Sequence, residues 1–274
     1  YEIMPSLVGS EMCIRDSIRP LIFRQERVGV NLADGYSRIS KGEKTGVFAM
    51  QAGPGAENAF AGVATAFADS VPIFLIPASN PRNRTGVHPT FSPSNTYSSV
   101  TKWSEKVSVI ESIPEMMRRS FSQLRMGRPS PVLLEVPSDI LRGEIPNGMN
   151  LDYSPVSKFR TSGDPNDVKI AAKMLLGAKR PVIQAGQGVL YADASDKLLE
   201  LAEITRVPVM TTMAGKSSFP ENHELSLGTR SSTTTDMVVD FLDKSDLVFG
   251  SGCSFTRIHY GMDEFDKKTL VHVT

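Results

Sequence analysis

Arg24-Gln25-Glu26, then Leu32-Ala33-Asp34-Gly35-Tyr36-Ser37-Arg38, then Gly53-Pro54-Gly55-Ala56-Glu57-Asn58 is the stretch that decides how this chain folds. From Glu26 to Arg38, apolar Val30, Ala33 and Tyr36 recur at helical spacing, which predicts a helix. The short apolar run from Ile18 to Phe23 before it reads as a strand, so Glu26 falls where strand gives way to helix. Lys41-Gly42-Glu43-Lys44 is a polar turn, and Thr45 to Met50 has the character of a buried strand. Gly53-Pro54-Gly55 is a second strand-to-helix junction. Gly55 to Ala68 is Ala-rich, with Phe60, Val63 and Phe67, and predicts a buried helix; Pro72 to Ala78 predicts a third strand. This βαβαβ rhythm argues for a parallel sheet with helices on both faces. In such sheets ligands bind outside the carboxyl ends of the strands. A carboxylate and a backbone-rich turn at that edge therefore face one crevice, as a cofactor pocket would require.

Working outward, the loop Asn80 to Thr101 is rich in Asn, Pro, Ser and Thr. A loop of that length in a compact domain is usually functional or mobile. Ser112 to Arg125 predicts a helix with Ile113, Met116, Met117 and Phe121 on its apolar stripe. Pro131 to Val136 predicts a strand, closed by Pro137-Ser138-Asp139. Gly143 to Gly163 is polar, Pro-containing and aperiodic, the character of a linker. Asp164 is then an N-cap for a helix ending near Ala178. Further strands are expected at 180–186, 207–211, 246–250 and 269–273, with helices at 193–205 and 233–242. The fold class is therefore α/β, with two doubly wound parallel-sheet domains. Their expected bounds are 18–143 and 164–274, joined by 144–163.

Residues 1–17 show neither helical nor strand periodicity, and they are set aside as a non-native junction. The chain itself is expected to be a piece of a longer reading frame. Its 274 residues allow about two domains. A formal net charge of 0 gives no electrostatic reason to expect nucleic acid or an anionic membrane as partner. No apolar run approaches the ~18–20 residues needed to span a bilayer. Cys13 and Cys253 are far apart and form no metal or redox spacing, which fits a reducing cytoplasm. His223, His259 and His272 are scattered with no metal spacing among them, and no metal site is assigned to this chain.

The motif block resembles the pyrimidine-binding domain of the thiamine diphosphate enzymes, in their acetolactate synthase-like branch. That family reads Arg-His-Glu, Ala-(Asp/Glu)-Gly-Tyr-Ala-Arg, Gly-Pro-Gly-Ala-x-Asn and Asp-Ser-x-Pro; the last element here is Asp69-Ser70-Val71-Pro72. Gly215-Lys216-Ser217-Ser218-Phe219-Pro220-Glu221-Asn222-His223 resembles the family's central domain. The resemblance implies thiamine diphosphate as cofactor. It implies that Glu26 hydrogen-bonds the N1′ atom of the aminopyrimidine and so promotes the tautomer that deprotonates the thiazolium. It places Gly53, Pro54, Gly55 and Asn58 around the pyrimidine. Taken alone, Glu26 reads as a first-turn carboxylate favoured by the helix dipole; within the block it reads as the cofactor's acid. Gly53 and Gly55 let backbone approach a flat ring, and Pro54 stiffens the turn. Asp34, Gly35, Tyr36 and Arg38 match the family but read as structural. Asp69 and Ser70 read as a cap or turn, with a part in shaping the subunit interface as the alternative.

The family binds Mg²⁺ through a Gly-Asp-Gly…Asn motif in a third domain, and no Gly-Asp-Gly occurs in this sequence. The active site also spans two subunits, so this chain is expected to carry half of each site. The resemblance further implies a homodimer or homotetramer for the full-length protein and a 2-keto acid or related acyl donor as substrate. Two departures loosen the reaction more than the cofactor. Gln25 stands where His is frequent. The family's Phe-Gln-Glu is absent from the 85–102 loop, where the comparable run is Phe91-Ser92-Pro93, with Asn95 and Tyr97 nearby. His88 is either a catalytic imidazole or an ordinary loop histidine.

Some family members hold FAD in the central domain and others have lost it. Gly186, Gly188, Lys216 and Gly250-Ser251-Gly252 either line a ligand cleft there or are structural. The dinucleotide fingerprint lacks its third glycine, since position 191 is Tyr. Three readings stay open: an acetolactate synthase-like enzyme, with branched-chain amino acid biosynthesis as its setting; a 2-keto acid or acyl-CoA decarboxylase or other acyl transferase; and a nucleotide-binding or regulatory α/β module.

Overall fold

The computed structural model describes residues 21–154, 161–231, 233–256, 265 and 268–274. The segment 1–17 with Cys13, the start of the expected first strand at 18–20, linker residues 155–160 and His259 lie outside the described residues. The chain divides into two compact units at 158/159.

The first unit runs α1 (Glu26–Ile39), β1 (Gly46–Met50), α2 (Pro54–Ala68), β2 (Ile73–Ser79), β3 (Trp103–Lys106), α3 (Ile113–Arg125) and β4 (Val132–Pro137). Its four strands are all parallel, in the order β1-β2-β4-β3. Leu21 to Phe23 do not form the expected strand; α1 instead begins directly after extended Gln25. The strand Trp103–Lys106 lies just past the expected loop and has no apolar alternation. It is a half-exposed end strand, made by its pairing with β4 rather than by propensity.

Helix α2 is buried because its inner face is small: Gly55, Ala56, Ala59, Gly62, Val63 and Ala66. A Cβ at Gly62 would stand 3.0 Å from the Val30 side chain, so α1 and α2 touch at that point. Ser37 pins the opposite end of the sheet. Its hydroxyl donates to the Pro72 carbonyl at 2.6 Å and accepts from the Gly46 N–H at 2.8 Å. It thereby satisfies groups at the starts of β1 and β2 from the last turn of a buried helix face. Arg38 ties α1 to the end of α2 by ion-pairing both Asp34 and Asp69. Ser70 follows with φ of 57°, and Val71 N–H returns to the Ala66 carbonyl. Asp34, Arg38, Asp69 and Ser70 thus make contacts that join α1 to the turn between α2 and β2. The first part of the linker packs on this unit, with Tyr153 5.8 Å from Phe121.

The second unit runs α4 (Pro165–Gly177), β5 (Pro181–Ala185), α5 (Ser195–Thr205), β6 (Val209–Thr212), β7 (Ser226–Arg230), α6 (Asp236–Lys244), β8 (Leu247–Ser251) and β9 (Thr269–Val273). Asp164 caps α4, accepting the Asn166 N–H at 2.7 Å. The five strands are parallel in the order β7-β6-β5-β8-β9. The chain moves one way from β5 to β7 and returns on the other side at β8. The gap between β5 and β8 is therefore the topological switch point. Strand β7 has no sequence signal: Gly228 breaks it with φ of 100°, and the register slips between Val209 and Met210.

Candidate functional site

The carboxyl edge of the first sheet carries a cavity of 570 Å³. Ala52, Gly53, Pro54 and Glu57 form one wall, from the turn after β1 and the start of α2. Asn80, just past β2, and the run His88 to Phe91 form the other. The turn is built by Gly53, whose φ of 66° and ψ of −116° suit glycine, and by Pro54 at the first helical position.

Glu26 opens α1 beside this turn. Its side chain is half-buried. A Cβ at Gly55 would meet Glu26 Oε1 at 3.7 Å and Gln51 Cβ at 3.1 Å. Two positions far apart in sequence are thus brought into contact: the carboxylate and the second glycine of the turn. Among the described residues no hydrogen-bond or ion-pair partner holds that carboxylate. The residues fit the pyrimidine half of a thiamine cofactor, because the acid lies against backbone that carries no side chain. Asn58 is exposed on α2 and does not line the cavity.

The 80–101 segment is more ordered than its composition suggests. Arg82–Arg84 and Tyr97–Val100 form 3₁₀ turns and Pro93–Thr96 a turn of helix. Tyr97 belongs to the core and not to the cavity. Its ring is fully buried, 5.2 Å edge-on from Phe60, and its hydroxyl donates to the Ala56 carbonyl. Burial pushes its phenol up from the ordinary value. Asn95 is exposed and lines no part of the cavity, whereas Phe91 lines it and packs on the core. His88 is exposed at the cavity mouth and joins Pro89 through a cis peptide bond.

Sequence reasoning missed Glu57 and Glu135. Glu57 occupies the variable position of the Gly-Pro-Gly-Ala-x-Asn motif, which alone marked it. Glu135 sits on β4, in an apolar strand where a lone carboxylate was the available signal.

In the second unit the glycines at the switch point touch one another. The Gly186 N–H donates to Ser251 O at 2.8 Å, Gly188 N–H to Gly252 O at 2.8 Å, and Gly252 N–H to Val273 O at 2.8 Å. A Cβ at Gly186 would lie 2.3 Å from Gly252 O, and one at Gly215 would lie 2.5 Å from Ala185 O. Lys216 pairs with Glu221. His223 lies 3.4 Å from Glu203, and its Nδ1 accepts the Leu225 N–H at 3.2 Å. Cys253 is buried and free, its thiol pushed up to about 11 by burial. Among the described residues no group of three His, Cys, Asp or Glu is placed to hold a metal ion. None of their helices is long and apolar enough to cross a membrane.

Comparison with known proteins agrees with both units. Residues 7–99 match the model of the thiamine pyrophosphate enzyme N-terminal TPP binding domain, and 168–274 match that of the central domain. The first match begins inside the segment set aside above. The probable acetolactate synthase large subunit of Methanocaldococcus jannaschii is 36% identical over 243 residues, covering 86% of this chain and 41% of that protein. Glyoxylate carboligase of Escherichia coli O157:H7 is 32% identical over 271 residues, covering 96% of this chain and 45% of that protein. Acetolactate synthase of Mycobacterium leprae is 30% identical over 266 residues, covering 94% and 42%. The chain thus spans about two fifths of the length of these relatives. With both domain models matched in order on two parallel α/β units, the chain belongs to the thiamine pyrophosphate enzymes, the family also written with thiamine diphosphate.

Proposed function

We propose that this chain is the pyrimidine-binding and central part of a thiamine pyrophosphate enzyme that makes or breaks a carbon–carbon bond next to a carbonyl. A 2-keto acid or related acyl donor is the substrate class. The observation that carries this reading is the Glu26 carboxylate set against Gly55. The cofactor, when bound, supplies the nucleophilic carbon and the electron sink. The chain's own residues bind and orient it. Glu26 would share a proton with the ring nitrogen of the pyrimidine, Gly55 would let backbone stand beside that carboxylate, and Gly53 and Pro54 would set the turn beside the ring. Asn58 is proposed as a further cofactor contact, reached once the rest of the site is assembled. The domain bounds proposed are 18–143 and 164–274.

Mg²⁺ is proposed to enter with a diphosphate-binding part carrying the Gly-Asp-Gly motif, which is not in these 274 residues. A homodimer or homotetramer is supported by α1, which leaves Val28, Leu32, Tyr36 and Ile39 exposed along one stripe on the Glu26 helix. A cytoplasmic location is supported by the free, buried Cys253. FAD in the second unit stays an open alternative to a purely structural domain, and the presence or absence of a flavin absorbance band in the purified protein decides between them. Acetolactate chemistry, in branched-chain amino acid biosynthesis, is the first choice of reaction. Decarboxylation or another acyl transfer is the second, favoured by Ser92 and Pro93 standing where Gln and Glu are expected.

Glu26→Gln in the complete enzyme tests the assignment. Turnover is expected to fall by about 10²–10⁴-fold with the melting temperature unchanged. Unchanged turnover overturns it. For the chain alone, calorimetry with Mg²⁺ and thiamine pyrophosphate is expected to show no micromolar binding, and such binding would rule out a site divided between parts.

A further inference from the structure

The cavity wall formed by His88 to Phe91 hangs on a loop whose second foot is held by a buried carboxylate and whose first foot is reached by that carboxylate's lysine partner. Glu135 on β4 is 1% exposed. Its Oε2 accepts the Ser94 N–H at 2.8 Å, and its Oε1 lies 3.4 Å from Lys106 Nζ. Lys106, on β3, also reaches Thr85 Oγ1 at 3.5 Å. Thr85 begins the loop and Ser94 ends it; the cavity-lining residues lie between them. The Ser104 hydroxyl adds a bond to Ser94 O at 2.8 Å. Just outside the first foot, Arg82 bonds Asp139 at 2.6 Å and Ser108 O at 2.8 Å. Just outside the second, Tyr97 ties the chain to Ala56 in the Gly-Pro-Gly helix.

A carboxylate is costly inside a sheet unless it is paired and hydrogen-bonded. Here the loop supplies one partner, the Ser94 N–H, and β3 the other, Lys106, so displacing the loop would strip the buried carboxylate of its backbone hydrogen bond. Resting on the cofactor assignment above, we propose that Glu135 and Lys106 are positioning residues: they clamp loop 85–94 as a rigid wall that sets how the carbonyl substrate sits against the turn. The loop is then a compact Ω-type loop with fixed ends rather than a swinging lid.

Glu135→Gln, Lys106→Gln and the surface variant Thr85→Val in the complete enzyme test this. Expected for Glu135→Gln and Lys106→Gln are faster amide exchange at 85–94 and a roughly tenfold higher KM for the carbonyl substrate. The kcat and the thiamine pyrophosphate affinity should stay within about twofold. Thr85→Val, which leaves the core intact, should raise KM about two- to threefold with no change in melting temperature. A lower melting temperature with KM and loop exchange unchanged overturns the proposal, as does looser exchange at 85–94 with KM unchanged. If the unaltered enzyme shows no thiamine-dependent activity, the cofactor assignment fails instead, and loop exchange alone still reports whether the clamp exists.

Discussion

The carboxyl edges of the two sheets are made from the same materials and put to opposite uses. Each follows a β-strand with a glycine-rich turn that leads into a helix. In the first unit the glycines border side chains and open space: nothing lies within 4 Å of a Cβ placed at Gly53, which lines the cavity, and one at Gly55 would stand 3.1 Å from Gln51 Cβ and 3.7 Å from the Glu26 carboxylate. In the second they border backbone: Gly186, Gly188 and Gly252 let neighbouring chain segments hydrogen-bond where any side chain would collide. A glycine turn after a strand is therefore not a ligand signal by itself. What distinguishes the two edges is whether the missing Cβ faces a chemical group and a cavity or another backbone.

Substitutions separate these uses, and the largest effect on stability belongs to the second unit. Gly188→Ala places a methyl 2.7 Å from the Gly252 Cα, and overpacking of that kind costs about 3 kcal/mol in urea unfolding. A loss well under 1 kcal/mol would mean that the β5–β8 gap has room for a ligand after all. Ser37→Ala follows, at about 2 kcal/mol, because it orphans the Gly46 N–H and the Pro72 carbonyl. That loss should leave cofactor affinity unchanged, since Ser37 works at the edge opposite the cavity.

Gly55→Ala inverts the pattern. Its stability cost should stay within about 1 kcal/mol, because helix propensity offsets the crowding at Gln51. Its cost in thiamine pyrophosphate affinity for the complete enzyme should be roughly tenfold, through displacement from Glu26. Equal effects of Gly55→Ala and Gly188→Ala on stability, with none on affinity, would erase the contrast.

The smallest effect concerns Cys253. Burial raises its thiol from 9.0 to about 11, so the folded state prefers the neutral form. Its contribution is complete below the unfolded thiol value and is lost as pH rises through about 11. The native protein should react slowly with thiol reagents at pH 8 and quickly once unfolded. Fast native labelling would show the second edge to be open.

Much of this molecule is legible in one dimension. The helical spacing after Glu26, the Ala-rich face of α2, the Asp164 cap and the apolar strands β1, β2, β4, β5, β6, β8 and β9 follow from periodicity and capping, which act over a few residues. The placement of Glu26 at a helix start and of Gly53-Pro54-Gly55 at a strand end was equally local. Strands β3 and β7 were invisible because pairing with a neighbour, not apolar alternation, holds them. Tyr97 and Glu135 show the same limit. A loop tyrosine became core, and a carboxylate in an apolar strand became the fixing point of a loop, through contacts with residues distant in sequence. By itself the sequence determined which groups were available at each turn. The tertiary structure alone decided that Gly55 faces a carboxylate while Gly188 faces a peptide, because the space a missing side chain leaves is defined by whatever the fold brings opposite it.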